Sequence, residues 1–217
     1  GAVTIYQTSG DAGSNNQEKA YQYGVNVDAN TGKIIVSSRM LTPFHNFAVG
    51  ESQGIYIGTG FQDNYIKIIL TNGGLEVQGE NNDVALTGLP TASIAIPSSN
   101  LDLFFEIDPA TGVIQAAYSQ DGGTTTNNIG GTFTATGALL SALQNSNIPL
   151  AVGIIGTSGS NPEFAASWDF LNVKTEQDVA DGEVIFRVSA GGSTLASIDD
   201  GSDWVTDIDV TLAIDGF

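Results

Sequence analysis

The sequence predicts an all-β protein built as a sandwich of two antiparallel sheets, and three observations carry that prediction. Glycine occurs 27 times in 217 residues, among abundant Ser, Thr and Asn, a composition that suits many turns between short strands. Apolar residues alternate with polar ones in short runs along residues 1–175, which is the strand period. The pattern Asp-x-x-Thr-Gly stands twice next to such runs, at 28–32 and 108–112. In it the Asp side chain can accept from the following amides and Gly can adopt positive φ, the chemistry of a hairpin with a bulge.

The elements follow in order. Ile34 to Arg39 is a strand entered from the first Asp-x-x-Thr-Gly turn. Gly54 to Ile57, Tyr65 to Leu70, Leu75 to Gln78 and Ser93 to Ile96 are further strand candidates. Leu101, Leu103, Phe105 and Ile107 alternate with Asp102, Phe104, Glu106 and Asp108, and the second turn leads into Val113 to Tyr118. One short helix is expected over Gly137–Gln144, with Leu139, Leu140 and Leu143 on one face and Thr136 as N-cap. Leu150 to Ile155 and Ala166 to Val173 complete the set, and Trp168 in the last of these reads as core.

Charge marks a boundary near residue 175. Of the net −18, residues 1–175 carry fourteen acids and five bases, and residues 176–217 carry ten acids and Arg187 alone. The sandwich is therefore expected over 1–175, a linker over 176–182, and a separate segment over 183–217. In that segment Val184, Phe186 and Val188 alternate, as do Ile208, Val210, Leu212 and Ile214, which predicts a β-hairpin-like unit. Two strands cannot bury both apolar edges alone, so the segment needs a neighbouring domain or chain.

Composition also excludes. The negative charge repels nucleic-acid phosphates and anionic membrane surfaces, and no apolar run reaches the length of a membrane-spanning helix. The start Gly1-Ala2-Val3 lacks a basic region followed by an apolar one, so the chain reads as a mature protein or an excised piece. There is no Cys and only His45, which leaves neither disulfides nor zinc chemistry. No Gly-x-Ser-x-Gly elbow stands around a nucleophile.

Two stretches resemble known families. Asn16–Asn26, Arg39–Phe44, Gln53–Lys67, Leu150–Ser158 and Ser167–Phe170 resemble concanavalin A-like lectin/glucanase domains of secreted bacterial multidomain proteins. Glu183–Trp204, through Phe186-Arg-Val-Ser-Ala-Gly-Gly192 and Asp203-Trp204, resembles the opening of a malectin-like carbohydrate-binding domain that is incomplete here. In such proteins the first domain often precedes the second, and the order is the same. The resemblance implies a jelly-roll sandwich, a secreted or cell-surface setting, and binding of a glycan or cell-surface polysaccharide. It also implies a structural calcium ion tying a first-strand acid to a last-strand acid, here Glu18 to Asp169.

Three site chemistries compete. Calcium takes hard oxygens from loops, and the candidates are Asp63, Asn64, Glu18, Asp121 and Asp169. A sugar wants an aromatic face with polar groups beside it, which Tyr21, Tyr23, Arg39, Phe44, His45, Tyr56, Asp63, Asn64 and Tyr65 could supply. Glycoside hydrolysis wants two carboxylates across a cleft; the nearest run is Asp102, Glu106 and Asp108, whose common face an amphipathic surface strand also produces. The expectation is thus a non-catalytic carbohydrate-binding or adhesion module. The alternative is an assembly module whose C-terminal strands pair with a neighbouring chain.

Overall fold

Alternation along the strands has one outcome in three dimensions: two antiparallel sheets press their apolar faces together. The computed structural model describes residues 1–175, with the backbone of 188–189 and 205–206. In chain order the strands are β1 (Val3–Ile5), β2 (Ala20–Val25), β3 (Ile34–Met40), β4 (Ser52–Gly58), β5 (Asn64–Thr71), β6 (Gly74–Asn81), β7 (Val84–Ala85) and β8 (Thr91–Ala92). There follow β9 (Leu101–Asp108), β10 (Val113–Ser119), β11 (Asn127–Asn128), β12 (Phe133–Thr134), the helix α1 (Gly137–Gln144), β13 (Leu150–Thr157) and β14 (Ala166–Thr175). The first sheet runs β1-β14-β3-β9-β10-β11, with β12 also on β10. The second runs β2-β13-β4-β5-β6-β7, with β8 also on β6.

Between the sheets lie Ile34, Val36, Met40, Leu103, Phe105 and Trp168 from the first and Ile55, Ile57, Ile66, Ile68, Leu70 and Val152 from the second, all in one buried cluster. Trp168 is 1% exposed, and its indole N–H crosses the sandwich to donate to the Gly54 carbonyl at 3.2 Å. A buried Trp needs such a partner. Leu139, Ala142 and Leu143 of α1 join the same cluster. Thr136 has the extended backbone of an N-cap, but its side chain makes no capping bond.

The two Asp-x-x-Thr-Gly turns form as their chemistry requires, yet they serve different connections. Asp108 Oδ1 accepts from the Ala110 amide at 3.0 Å, Gly112 has φ 70°, and β9 pairs directly with β10. Asp28 Oδ1 accepts from the Asn30 amide at 2.8 Å and Gly32 has φ 76°. That first turn, however, carries the chain from β2 in one sheet to β3 in the other. It is not a hairpin, because the strand registers and not the local turn decide the partner.

One further expectation is corrected. The strand anticipated over Ser93–Ile96 is absent; the ladder on β6 forms at Thr91–Ala92 instead. Ile94 and Ile96 pack on the main core from irregular chain, so their alternation reports burial without pairing. In the C-terminal segment Val188–Ser189 pairs with Val205–Thr206 in parallel. The strands expected over Val184–Val188 and Ile208–Ile214, and with them the hairpin-like and malectin-like segment, otherwise lie outside the described residues.

Candidate functional site

β5 is buried along its whole length, on both faces, although an antiparallel strand commonly keeps one face wet. Its inward residues Ile66, Ile68 and Leu70 belong to the main core. Its outward residues Tyr65 and Ile69 form a second, small cluster with Ile155 and Ala12. Ala12 belongs to the loop of residues 8–18, which crosses the outer face of the second sheet and turns through a short 3₁₀ segment, Ala12–Ser14.

That loop is fastened by a few polar side chains. Asp11 caps the 3₁₀ turn, its Oδ1 accepting from the Gly13 amide at 3.1 Å. The Gln17 amide N–H donates to Gln62 Oε1 at 2.8 Å, and Gln62 Nε2 donates back to the Gln17 carbonyl at 3.2 Å. Gln17 Nε2 donates to the Gly156 carbonyl at 2.9 Å, and the Thr157 hydroxyl lies 3.1 Å from Gln17 Oε1. Asn64 Oδ1 accepts from the Asn82 amide at 3.1 Å, and the Asp63 carbonyl accepts from the Asp83 amide at 3.1 Å. Three segments, 11–17, 60–64 and 81–83, are thereby held side by side.

Where they meet is an open hollow of ≈ 450 Å³ lined by Asn15, Gly60, Phe61, Gln62, Asp63 and Asp83. Phe61 is 76% exposed there. The polar lining is rich in acceptors. Asp63 Oδ1 is buried and has no hydrogen-bond partner. Asp83 Oδ1 takes one bond from Asn15 Nδ2 at 2.7 Å, and both ends of the Gln62 amide are occupied by Gln17. No Lys or Arg lines the hollow. A ligand that fits must bring donors.

A second hollow of ≈ 300 Å³ lies on the other side of the 3₁₀ turn, with Asp11, Gly13, Tyr65, Lys67, Gln78 and Glu80 in its wall. Lys67 is 2% exposed, and burial pulls its ammonium below the ordinary lysine range despite the charges of Asp11, Glu80 and Glu76. Its Nζ is 3.7 Å from Asp11 Oδ1. Burial, then the charges of Asp83 and Asp11, push the Glu80 carboxyl up. The registers put Gln22, Gly153, Tyr56, Lys67 and Gln78 in one row across five strands. Tyr56 lies over Gly153, where a Cβ would stand 2.3 Å from its Cε1, and its hydroxyl donates to Gln22 Oε1 at 2.5 Å. Burial pushes the Tyr56 phenol up to about 12.

The residues singled out from sequence divide accordingly. Asp63 lines the first hollow; Asn64 is buried beside it and holds Asn82. Tyr65 is buried beneath the loop and walls the second hollow. Tyr21 is 52% exposed on the edge strand β2, and Tyr23 packs on the main core with its hydroxyl donating to the Leu171 carbonyl at 3.3 Å. Burial, and then the charge of Tyr21, raise the Tyr23 phenol to about 12. Phe44 packs on the main core. His45 stacks on Phe164 at 4.5 Å, with Nε2 3.0 Å from Glu51 Oε2.

Arg39 lies on the first sheet, away from both hollows. It holds Asp102 through two bonds of 2.6 and 3.0 Å, and the Asp102 hydrogen bond raises its already high pKa. Asp102 is thus spent on an ion pair, Glu106 is exposed, and Asp108 caps its turn. Glu18 accepts from the Ser9 hydroxyl at 3.2 Å, and Asp169 is exposed on β14 of the first sheet. Asp121 accepts from the Thr125 amide at 2.8 Å and from Ser119 at 2.7 Å, which holds its carboxyl below the usual range. Among the described residues no three His, Cys, Asp or Glu side chains converge as metal ligands.

Phe61, Asn15, Gln62 and Asp83, which complete the first hollow, have no periodicity of their own. They come together only through the crossing loop. Lys67 did leave a signal in the sequence, as a lone charge inside an apolar strand run.

No family model matches the chain, and no curated protein matches it. Solved structures do. The GH43 protein BlXynB from Bacillus licheniformis overlays with a TM-score of 0.61 at 18% identity, covering 79% of this chain and 32% of that one. A GH43 glycoside hydrolase engineered to show endo-xylanase and exo-arabinofuranosidase activity overlays at 0.57 with 12% identity, covering 79% and 34%. The chain therefore spans about a third of the length of these proteins. Lectin I-B4 from Griffonia simplicifolia overlays at 0.49 with 10% identity, covering 79% and 88%, too loosely for argument. At these identities the shared feature is the fold: an all-β, two-sheet jelly-roll sandwich.

Proposed function

We propose that this chain is a non-catalytic carbohydrate-binding module, acting outside the cell, with its site in the Phe61 hollow. The observation that carries the reading is an exposed aromatic ring, Phe61, in a hollow walled by the Asp63 and Asp83 carboxylates with no cation among its lining residues. Pyranose rings have an apolar face that an aromatic ring covers, and hydroxyl edges that donate to carboxylates and amides. With no cation in the lining and a net charge of −18, neutral or amino-bearing sugars are favoured over uronic acids. The overlay on a minority of each GH43 chain is consistent with a part that accompanies such enzymes.

The test is a panel of neutral, amino and acidic oligosaccharides titrated into the full chain, with calcium and with chelator. Wild type is expected to bind neutral or amino sugars alike in both conditions. Phe61→Ala weakens that binding about tenfold, the equivalent of ~1.4 kcal/mol, and Asp63→Asn weakens it without unfolding the protein. No binding by the wild type, or full binding by Phe61→Ala, would sink the assignment. Loss in chelator alone would place a cation at Asp63 and Asp83.

One observation favours a second reading: Asp63 and Asp83 are two carboxylates on one hollow, as glycoside hydrolysis requires. Release of reducing ends from a bound oligosaccharide, abolished by Asp63→Asn and by Asp83→Asn, would establish it. The assembly role expected for the C-terminal strands concerns residues outside those described.

A further inference from the structure

A lysine ammonium buried to 2% exposure, with an ion pair no closer than 3.7 Å, is an expensive choice for a sheet position. A charge-assisted bond is normally 2.7–2.9 Å, and an isolated buried ammonium gives up its proton before it tolerates desolvation. Lys67 has only a long ion pair with Asp11 at 3.7 Å and the Tyr65 ring 5.7 Å from its Nζ, and the hollow proposed for sugar does not include it.

The groups around it suggest a reaction. Gly13 in the crossing loop marks the meeting point: a Cβ there would lie 3.5 Å from Glu80 Oε1, 3.6 Å from Asp11 Oδ2 and 3.7 Å from Asp11 Oδ1. Two carboxyl groups from different segments thus face one small volume, with Lys67 Nζ 3.7 Å from Asp11 Oδ1. Glu80 stands on β6 opposite Tyr65 and diagonal to Lys67, within reach of long side chains. The remaining polar or charged neighbours are Glu76 and Gln78 on β6, Tyr56 on β4 and Tyr65 on β5.

We infer that Lys67 and Asp11 condense to an intramolecular amide, with Glu80 moving the proton, so that the crossing loop is covalently fastened to β5.

The atoms balance without an added reagent. Lys67 Nζ first passes its ammonium proton to the Asp11 carboxylate and then attacks Asp11 Cγ; a C–N bond forms, one C–O bond breaks, and the oxygen leaves as water. Glu80 protonates the departing hydroxyl and takes the proton shed by nitrogen, so it ends as it began. Burial disfavours the charged forms of both Lys67 and Glu80, the directions that the proton transfers need. Condensation in bulk water fails because water is in excess and the partners are dilute. Here nitrogen and carboxylate stand 3.7 Å apart, a small movement from the near-attack distance of about 3–3.5 Å at which effective concentrations reach about 10⁵–10⁸ M. The amine side is sealed, while Asp11, 39% exposed in its side chain, lets the water out. The loop that gains the crosslink also carries Asn15 into the Phe61 hollow, so a fixed loop keeps that hollow preformed.

The test is independent of any ligand. Denatured full chain is weighed by mass spectrometry and then digested and mapped. The expected result is a mass one water below that of the sequence, with Lys67 and Asp11 joined in one branched peptide. Asp11→Ala and Lys67→Arg restore the full sequence mass, and Glu80→Gln slows the loss of water about a hundredfold. An unmodified mass in the aged wild type overturns the inference. So does a water loss that maps to an Asp-Gly pair such as Asp121-Gly122, or to a Lys67–Glu80 junction.

Discussion

Arg39 and Asp102 show how one pair can answer a question that spacing leaves open. Asp102, Glu106 and Asp108 share a strand face, as a hydrolase's acids might. Asp102 is nevertheless only 4% exposed in its side chain and is gripped at both oxygens by Arg39. A buried carboxylate in that state stabilises the sheet and is poorly placed to exchange protons. Asp102→Ala is expected to lower unfolding stability by about 2 kcal/mol, because the Arg39 guanidinium loses its charged acceptor. A urea midpoint unchanged from wild type would show the pair to be idle. At the same scale Phe61 is the opposite case, 76% exposed and outside the core, so its removal is expected to leave the urea midpoint unchanged.

Among elements, the two Asp-x-x-Thr-Gly turns give the cleanest comparison. Both final glycines sit in the left-handed region, which costs other residues about 1–2 kcal/mol. A Cβ on Gly32 would meet nothing within 4 Å, while one on Gly112 would lie 2.5 Å from Leu140 Cδ1 of α1. Gly32→Ala should therefore cost the backbone strain alone, and Gly112→Ala that strain plus a displaced helix side chain. Thermal melts of the two variants check the order, and equal losses would show that Leu140 swings away freely. The turn chemistry was legible from five residues. What each turn connects was not, since that depends on partner strands more than a hundred residues away, β14 for β3 and β13 for β2.

β5 makes the same point from inside. The sequence Tyr65-Ile-Lys-Ile-Ile-Leu70 announces a strand, and its inward residues are those the period selects. Nothing in the period says that the outward face is also covered. That follows from the loop of residues 8–18, whose small Ala12 fits against Tyr65 and Ile69. Lys67 lies on that covered face, with Asp11 of the loop 3.7 Å from its Nζ. The residues of the Phe61 hollow share that origin, which is why only Asp63 of its lining was singled out from sequence.

For the whole molecule, charge is the dominant sequence-level quantity. A net −18 on 217 residues opposes compaction by self-repulsion. Raising NaCl from about 0.01 to 0.15 M shortens the screening length from about 30 to 8 Å, and the urea midpoint should rise. A fall would mean that attractive pairs such as Arg39–Asp102 outweigh the excess of acids. The overlay on GH43 proteins, at 18% identity and a third of their length, says the same of the fold: packing tolerates almost complete replacement of residues while patterning persists.

The sequence by itself determined the two-sheet sandwich, most of its strands, its one helix, its two Asp-capped turns and Trp168 as core, because each rests on local alternation or on a few adjacent side chains. Tertiary structure alone decided which strands pair, that β2 and β3 part to opposite sheets, that a loop seals the outside of β5, and that Phe61, Asp63, Asp83 and Asn15 share one hollow. Those outcomes depend on contacts between segments far apart in the chain, whose free energy exists only once both sheets have formed.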